Sequence, residues 1–193
     1  MFDLEETLVH VSKNTANADL ILPVRKIGVD KSSQGSAIQI GIFLRPRLIE
    51  VLKELKKSYE LILFTSSSKE ITSRIVDYME KDGALFDFKL TRDKCYITDN
   101  SLFIKDLRII NRPLSDMILV DDSTYSYGFQ LDNGVPIIPF TGNPTDAELT
   151  LLVQYIEYAF RSKDVRKVNR DYFRLHMYEE CSSIEEVYKK IFK

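Results

Sequence analysis

Cysteine is scarce in this chain of 193 residues, which contains only Cys95 and Cys181. The two lie far apart and form neither a CxxC motif nor a Cys/His ligand spacing. This scarcity argues against a disulfide framework and against a structural zinc site, and reduced thiols are the simplest interpretation. We therefore expect an intracellular protein of the nucleus or the cytoplasm.

The chain also lacks a large excess of acidic or basic residues and lacks long apolar runs. The 27 basic and 29 acidic residues leave a formal net charge of −2, so the composition gives no reason to expect nucleic acid as a partner. No run of about 18 apolar residues occurs, and the acidic start lacks the basic and apolar regions of a signal peptide. We expect a domain that makes no contact with a membrane.

The chain does have enough hydrophobic residues, 44% of its length, to bury the core of a single domain. Two apolar stretches, residues 20–24 and 37–43, flank the polar residues 31–36 and predict a β-hairpin; a shorter hairpin is predicted within residues 95–104. Apolar residues recur at helical spacing in four further segments, which predict helices at residues 46–57, 67–79, 145–160 and 183–192.

Polar side chains end four of the apolar runs. In an open α/β sheet, ligands lie beyond the carboxyl ends of the strands, so such residues are expected to converge on one pocket. Each patch alone has a simpler interpretation as a turn former or a helix cap, but all four in this order favour a shared site. The patches are Asp3 after Phe2, Thr65 and Ser66 after residues 61–64, Lys105 and Asp106 after residues 103–104, and Asp121 and Asp122 after residues 117–120.

The side chains in these patches suit the transfer of a phosphoryl group. Asp3 supplies a carboxylate nucleophile, Thr65 a hydroxyl donor and Lys105 a cation. The pair Asp121 and Asp122 is able to hold a hard, oxygen-loving ion such as Mg²⁺.

With these motifs the chain resembles the haloacid-dehalogenase-type phosphatases, and within them the small phosphatases of the RNA polymerase II C-terminal-domain (NLI-interacting-factor-like) family. Residues 170–176 are most similar to the branch termed small-phosphatase-like 2. The resemblance covers residues 2–166, and its further landmarks lie at residues 17–24, 44–46, 59–65, 104–107, 132–136 and 164–166.

The resemblance implies an α/β fold: a Rossmann-like core with a mostly parallel central sheet, a β-hairpin insertion after the first motif strand and no large cap domain. Residues 1–166 would form the phosphatase domain, and residues 167–193 a C-terminal helical extension packed on or beside it. Only Met1 and Phe2 precede Asp3, fewer than the five or so residues of a usual strand. We therefore expect that the numbering begins inside a longer chain, whose upstream part would carry any targeting segment.

The resemblance also implies a role for each site residue. Asp3 would attack phosphorus and form an aspartyl-phosphate with the help of Mg²⁺, and Glu5 would act as acid and then as base. The metal ligands would be the Asp3 carboxylate, the Glu5 backbone carbonyl and Asp122, with Asp121 beside them. The residues that would bind the substrate phosphate are Thr65, Ser66, Lys105 and Arg92.

Glu5 is the main departure from the family pattern, which has aspartate two residues after the nucleophile. Glutamate keeps the carboxyl group but adds one methylene, and a misplacement of about 1 Å can cost about 10²-fold in rate. The sequence therefore leaves open a slow phosphatase, a re-tuned phosphatase and one with almost no turnover.

The substrate is expected to be a phosphoserine or phosphothreonine protein or peptide. We do not expect the polymerase tail to be the substrate. The phosphatases that act on that tail share an apolar and aromatic patch for a substrate proline, and this chain has Lys13 and Ile71 in its place. Two alternatives remain: a binding module with the phosphatase fold that has lost turnover, and a phosphatase of small metabolites. The missing large cap argues against the second, because an open site does not enclose a small ligand.

Overall fold

The computed structural model describes residues 1–24 and 38–178 of the chain. Within these ranges, three strands precede the first α-helix, five strands follow the second, and the last two α-helices follow each other directly. The strands are β1 (Val9–Ser12), β2 (Leu20–Val24), β3 (Ile38–Leu44), β4 (Ile62–Phe64), β5 (Phe88–Leu90), β6 (Tyr96–Ile97), β7 (Phe103–Ile104), β8 (Leu119–Asp121) and β9 (Gly134–Pro136). The helices are α1 (Leu48–Leu55), α2 (Lys69–Met79), α3 (Glu148–Ala159) and α4 (Val165–Phe173).

A parallel sheet forms the centre of the molecule. β4 pairs with β5 and β8 pairs with β9, both in parallel. Phe2 joins the two pairs, because it bridges in parallel to Leu63 of β4 on one side and to Val120 of β8 on the other. The chain start is thus the central strand of the order β5, β4, Phe2, β8, β9, and the predicted α/β fold with a mostly parallel sheet is confirmed.

The segment between the first motif and β4 contains a second, antiparallel sheet. β2 pairs with β3 as the predicted hairpin, with Leu20 opposite Ile42 and Val24 opposite Ile38. β1, which was not predicted, pairs with the other edge of β3. The predicted turn at residues 31–36 lies outside the described residues. Within the described part of this segment, the chain adds only this sheet and α1, in agreement with the expected absence of a large cap.

The helices bury the apolar faces that their spacing predicted. In α1 the buried residues recur every three or four positions, as do those of α2 and α3. After α2 the chain turns at Gly83, whose φ of 128° favours glycine.

The short hairpin of β6 and β7 is also confirmed. The helix predicted at residues 183–192 lies outside the described residues, and no described helix is long and apolar enough to cross a membrane.

α4 packs on the edge of the central sheet and crosses the predicted boundary between residues 166 and 167. Its buried Asn169 accepts a hydrogen bond from the Tyr155 hydroxyl at 2.6 Å and donates one to the Gly134 carbonyl at 3.3 Å. These contacts join α4 to α3 and to β9. The division into a domain and an extension stays a prediction.

A buried arginine connects the loop after Asp3 to the helical layer. Arg45, 1% exposed, forms a two-point ion pair with Asp146, with nitrogen to oxygen distances of 2.7 and 2.9 Å. Its remaining donors reach the Thr7 carbonyl at 2.9 Å and the Ile138 carbonyl at 2.8 Å. Because Thr7 follows Asp3 closely in the chain, this network fixes the loop on which the candidate site is built.

Candidate active site

The register of the central sheet brings three of the polar patches to one edge. Phe2 lies level with Leu63 and Val120, so the next residue, Asp3, lies level with Phe64 and Asp121. Thr65 follows directly on the same edge. Parallel strands end on a common edge, and the predicted convergence of these residues is therefore a consequence of strand pairing.

Lys105 lies between two carboxylates at this edge. Its Nζ donates to Asp3 Oδ1 and, at 2.5 Å, to Asp121 Oδ2. All three residues are buried, with at most 5% of their surface exposed. Burial alone lowers the pKa of the Lys105 ammonium, but the charges of Asp3 and Asp121 outweigh it and hold that pKa above its usual value. Lys105 is therefore a fixed cation at the predicted nucleophile.

Asp3, Asp121 and Asp122 form an acidic cluster. Each offers one carboxylate oxygen, and these oxygens lie within 4.8 Å of one another. Burial raises the pKa of the Asp3 carboxyl to about 7, against the opposing pull of Lys105. Burial, followed by the charge of Asp121, also raises the pKa of Asp122. This donor set fits a divalent, oxygen-loving cation, which would relieve the crowding of negative charge.

The Glu5 carboxylate is held apart from the acidic cluster by a serine. Ser67 Oγ donates to Glu5 Oε1 at 2.5 Å, and the Ser67 backbone N–H donates to Thr65 Oγ1 at 3.0 Å. Ser67 and Thr65 are both buried. Of the residues predicted to contact a metal, Glu5 is the one whose side chain lies outside the acidic cluster of Asp3, Asp121 and Asp122. That its backbone carbonyl serves as a ligand stays a prediction.

Arg92 is tethered beside the same turn. Its Nε donates to the Ser66 carbonyl at 2.6 Å, and its backbone N–H donates to the Ser67 carbonyl at 3.1 Å. The guanidinium carbon lies 5.1 Å from the centre of the Phe103 ring, a distance at which a cation and a ring attract each other. The structure thus brings Arg92 and Ser66 together, with Ser66 contributing its backbone carbonyl to the contact.

Ser67 is the site residue that the sequence did not indicate. The run of hydroxyl side chains at residues 65–68 was visible, but which of them faces Glu5 depends on the turn that follows β4. The sequence also did not predict that Lys105 contacts two carboxylates. It predicted only that Lys105 binds the substrate phosphate. The only available signal was that Lys105 and Asp121 each follow an apolar run.

Comparison with known proteins finds one protein family over most of the chain. The model of the NLI interacting factor-like phosphatases matches residues 1–166. The chain is 35% identical over 171 residues to human carboxy-terminal domain RNA polymerase II polypeptide A small phosphatase 1, which covers 88% of this chain and 62% of that protein. It is 31% identical over 177 residues to Dictyostelium discoideum CTD small phosphatase-like protein 2, covering 91% of this chain and 30% of that protein.

A third relative, CTD small phosphatase-like protein 3 of Caenorhabditis elegans, is 32% identical over 91% of this chain and 59% of its own length. The chain thus spans less than two thirds of the length of each of these relatives. Among solved structures, Fcp1, described as an essential RNA polymerase II CTD phosphatase, superposes with a TM-score of 0.57 at 18% identity, covering 86% of this chain and 50% of that one. This likeness concerns the fold alone.

Proposed function

Because the chain belongs to the family of NLI interacting factor-like phosphatases, we propose that it removes phosphate from serine or threonine residues of proteins, with Mg²⁺ and through an aspartyl-phosphate. The observation that carries this proposal is the buried contact of Lys105 with both Asp3 and Asp121. A purely structural domain has no need to bury three charges at the edge of its sheet, since each costs free energy to remove from water.

In the first step, an Asp3 carboxylate oxygen attacks phosphorus and the bond from phosphorus to the serine or threonine oxygen breaks. Glu5 gives its proton to that leaving oxygen. Asp3 has to be ionised to attack, and although burial opposes this, the Lys105 cation beside it favours the charged form.

In the second step, water attacks phosphorus and the bond from phosphorus to the Asp3 oxygen breaks. Glu5, now a carboxylate, takes the proton of that water, so inorganic phosphate leaves and Asp3 and Glu5 return to their starting forms. Proton transfer of this kind contributes about 10²–10⁴-fold in rate.

Thr65 and Arg92 would bind the phosphoryl oxygens. Thr65 Oγ1 accepts the Ser67 N–H, so its own hydroxyl hydrogen is left to donate to a phosphoryl oxygen. Arg92 is fixed through Nε and is exposed, and its terminal nitrogens would donate to a bound phosphate.

The acidic cluster would hold the cation. Asp3, Asp122 and the Glu5 backbone carbonyl would be its ligands, with Asp121 beside them. A bound Mg²⁺ would neutralise charge on the phosphoryl oxygens as a Lewis acid.

The names of the relatives support the proposed substrate class. The named relatives are phosphatases of the polymerase C-terminal domain and phosphatase-like proteins. Lys13, which is exposed, and Ile71, which is half-buried, offer little aromatic surface to a substrate proline. We therefore propose phosphoserine or phosphothreonine proteins other than the polymerase tail, in the nucleus or the cytoplasm.

The proposal is tested by following hydrolysis of an aryl phosphate and of a phosphoserine peptide in Mg²⁺ and in a chelator. Both substrates should be hydrolysed in Mg²⁺ only, and Asp3→Asn should abolish the reaction because the amide is no nucleophile. An unmodified chain that is inert on both substrates in Mg²⁺ would overturn the proposal and leave a binding module as the better interpretation.

A further inference from the structure

We propose that Ser67 is a positioning residue that holds the Glu5 carboxyl group for proton transfer, an inference that rests on the function proposed above. Neither the resemblance nor the comparisons assign this residue a role. The inference comes from one buried hydrogen bond and from the way in which the Ser67 backbone is fixed.

The hydrogen bond between Ser67 and Glu5 has a defined direction. The Ser67 hydroxyl donates to Glu5 Oε1, 2.5 Å away, and this oxygen is able to accept both when Glu5 is a carboxylate and when Glu5 carries a proton on Oε2. A hydrogen bond from a hydroxyl to a charged oxygen is among the short and strong ones. Ser67 is only 3% exposed, so water competes little for its hydroxyl.

The Ser67 backbone is held from both sides. Its N–H donates to Thr65 Oγ1, and its carbonyl accepts the Arg92 N–H at 3.1 Å. Ser67 therefore contacts three of the proposed site residues, Glu5, Thr65 and Arg92, which come from three separate segments of the chain. A hydroxyl on so constrained a backbone gives Glu5 a fixed anchor.

The anchor matters because residue 5 is glutamate. Its side chain has one more rotatable bond than aspartate, so an unanchored Glu5 would spread its carboxyl group over several positions. We infer that Ser67 compensates for the longer side chain by restricting it.

The contact also separates the roles of the two Glu5 oxygens. Oε1 accepts the Ser67 hydrogen and stays bound to it, which leaves Oε2 to carry the proton. Glu5 would give that proton from Oε2 to the serine or threonine oxygen that leaves, and Oε2 would take a proton from the attacking water. Ser67 keeps its own hydrogen throughout and does not touch the substrate.

The test compares Ser67→Ala with the unmodified chain on two substrates. A phosphoserine peptide has a poor leaving group and needs the acid, whereas an aryl phosphate has a good leaving group and hardly needs it. We expect kcat on the peptide to fall roughly tenfold, the effect of one lost hydrogen bond, with KM unchanged. Hydrolysis of the aryl phosphate should change by less than about twofold, and Ser67→Thr, which keeps the hydroxyl, should restore most of the peptide activity.

Ser68→Ala is the matched control, because Ser68 is the next residue and its side chain makes no capping hydrogen bond to α2. It should leave both rates unchanged. In a Glu5→Gln background, Ser67→Ala should cause no further loss on the peptide, because residues that act as a unit are not additive.

The alternatives give different results. An equal loss on both substrates, or no loss on either, would overturn the positioning role while the proposed phosphatase activity stands. An unmodified chain without turnover on either substrate would overturn both proposals. A lower melting temperature of Ser67→Ala together with equal losses would make Ser67 a structural residue only.

Discussion

At the scale of single residues, the site depends on a buried lysine that lies between two buried carboxylates. Lys105 and the carboxylates of Asp3 and Asp121 are all buried, and Lys105 forms an ion pair with each of the two carboxylates. Such a group is costly to assemble, and it is more costly to leave incomplete. Lys105 therefore contributes to stability as well as to the proposed chemistry.

Replacement of this lysine gives a prediction at the same scale. Lys105→Met leaves two buried carboxylates without their cation, so we expect the free energy of unfolding to fall by about 3–5 kcal/mol and hydrolysis to be lost. Denaturant unfolding in a chelator measures the first effect. Lys94→Met is the control, since Lys94 pairs with Asp93 on the surface, and such pairs contribute about 0–1 kcal/mol. Equal effects of the two substitutions would contradict the prediction.

At this scale, the sequence predicted some of the site residues and not others. Asp3, Lys105 and Asp121 were predictable because each ends an apolar run and strand ends meet at one edge. Ser67 was not, because the turn after β4 decides which of several neighbouring hydroxyl groups faces Glu5. Glu5 itself was identified as a departure, but the position of its carboxyl group depends on side-chain rotation, which no spacing in the sequence reveals.

At the scale of elements, the Arg45 network fixes the loop after Asp3. It connects the Thr7 carbonyl, which belongs to that loop, to Asp146, which lies just before α3. The apolar spacing predicted the helices themselves, because burial of one face repeats with the helical period. It did not predict β1, whose four residues are too short a pattern to separate from a loop, nor the arginine that joins these elements.

The Arg45 network leads to a prediction about pH. Burial alone raises the pKa of Asp146, but its hydrogen bonds and charge pairing with Arg45 prevail and hold the pKa below its usual value. An acid with a lowered pKa in the folded state stabilises that state above its ordinary pKa, here 3.8, and loses this contribution as the pH falls through the folded value.

Asp146→Asn should accordingly lower the free energy of unfolding by about 3–5 kcal/mol at pH 7, because it leaves Arg45 as a buried, unpaired charge. The difference from the unmodified chain should shrink as the pH falls below 3.8 and through the lowered folded pKa, where the unmodified Asp146 also becomes neutral. Urea unfolding across this range measures it. Asp77→Asn, at an exposed position of α2, is the control and should show little difference at any pH. A difference that does not change with pH would contradict this account.

At the scale of the whole molecule, the candidate site is assembled from segments more than 100 residues apart in the chain, since Lys105 and Asp3 are separated by 102 positions. The fold performs this assembly through one central strand, whose neighbours on both sides also contribute site residues. That arrangement was predictable, because the order of the polar patches along the chain already corresponded to a known family. The precise distances and the roles of individual carboxylates had to come from packing.

The most direct test of the account is to look for phosphate on Asp3. The chain is mixed with an aryl phosphate in Mg²⁺, quenched with acid during turnover, digested and analysed by mass spectrometry. The account predicts a phosphorylated N-terminal peptide with the modification on Asp3, which disappears in Asp3→Asn and in a chelator. Turnover without any phosphate on Asp3, or with phosphate on another residue, would contradict it.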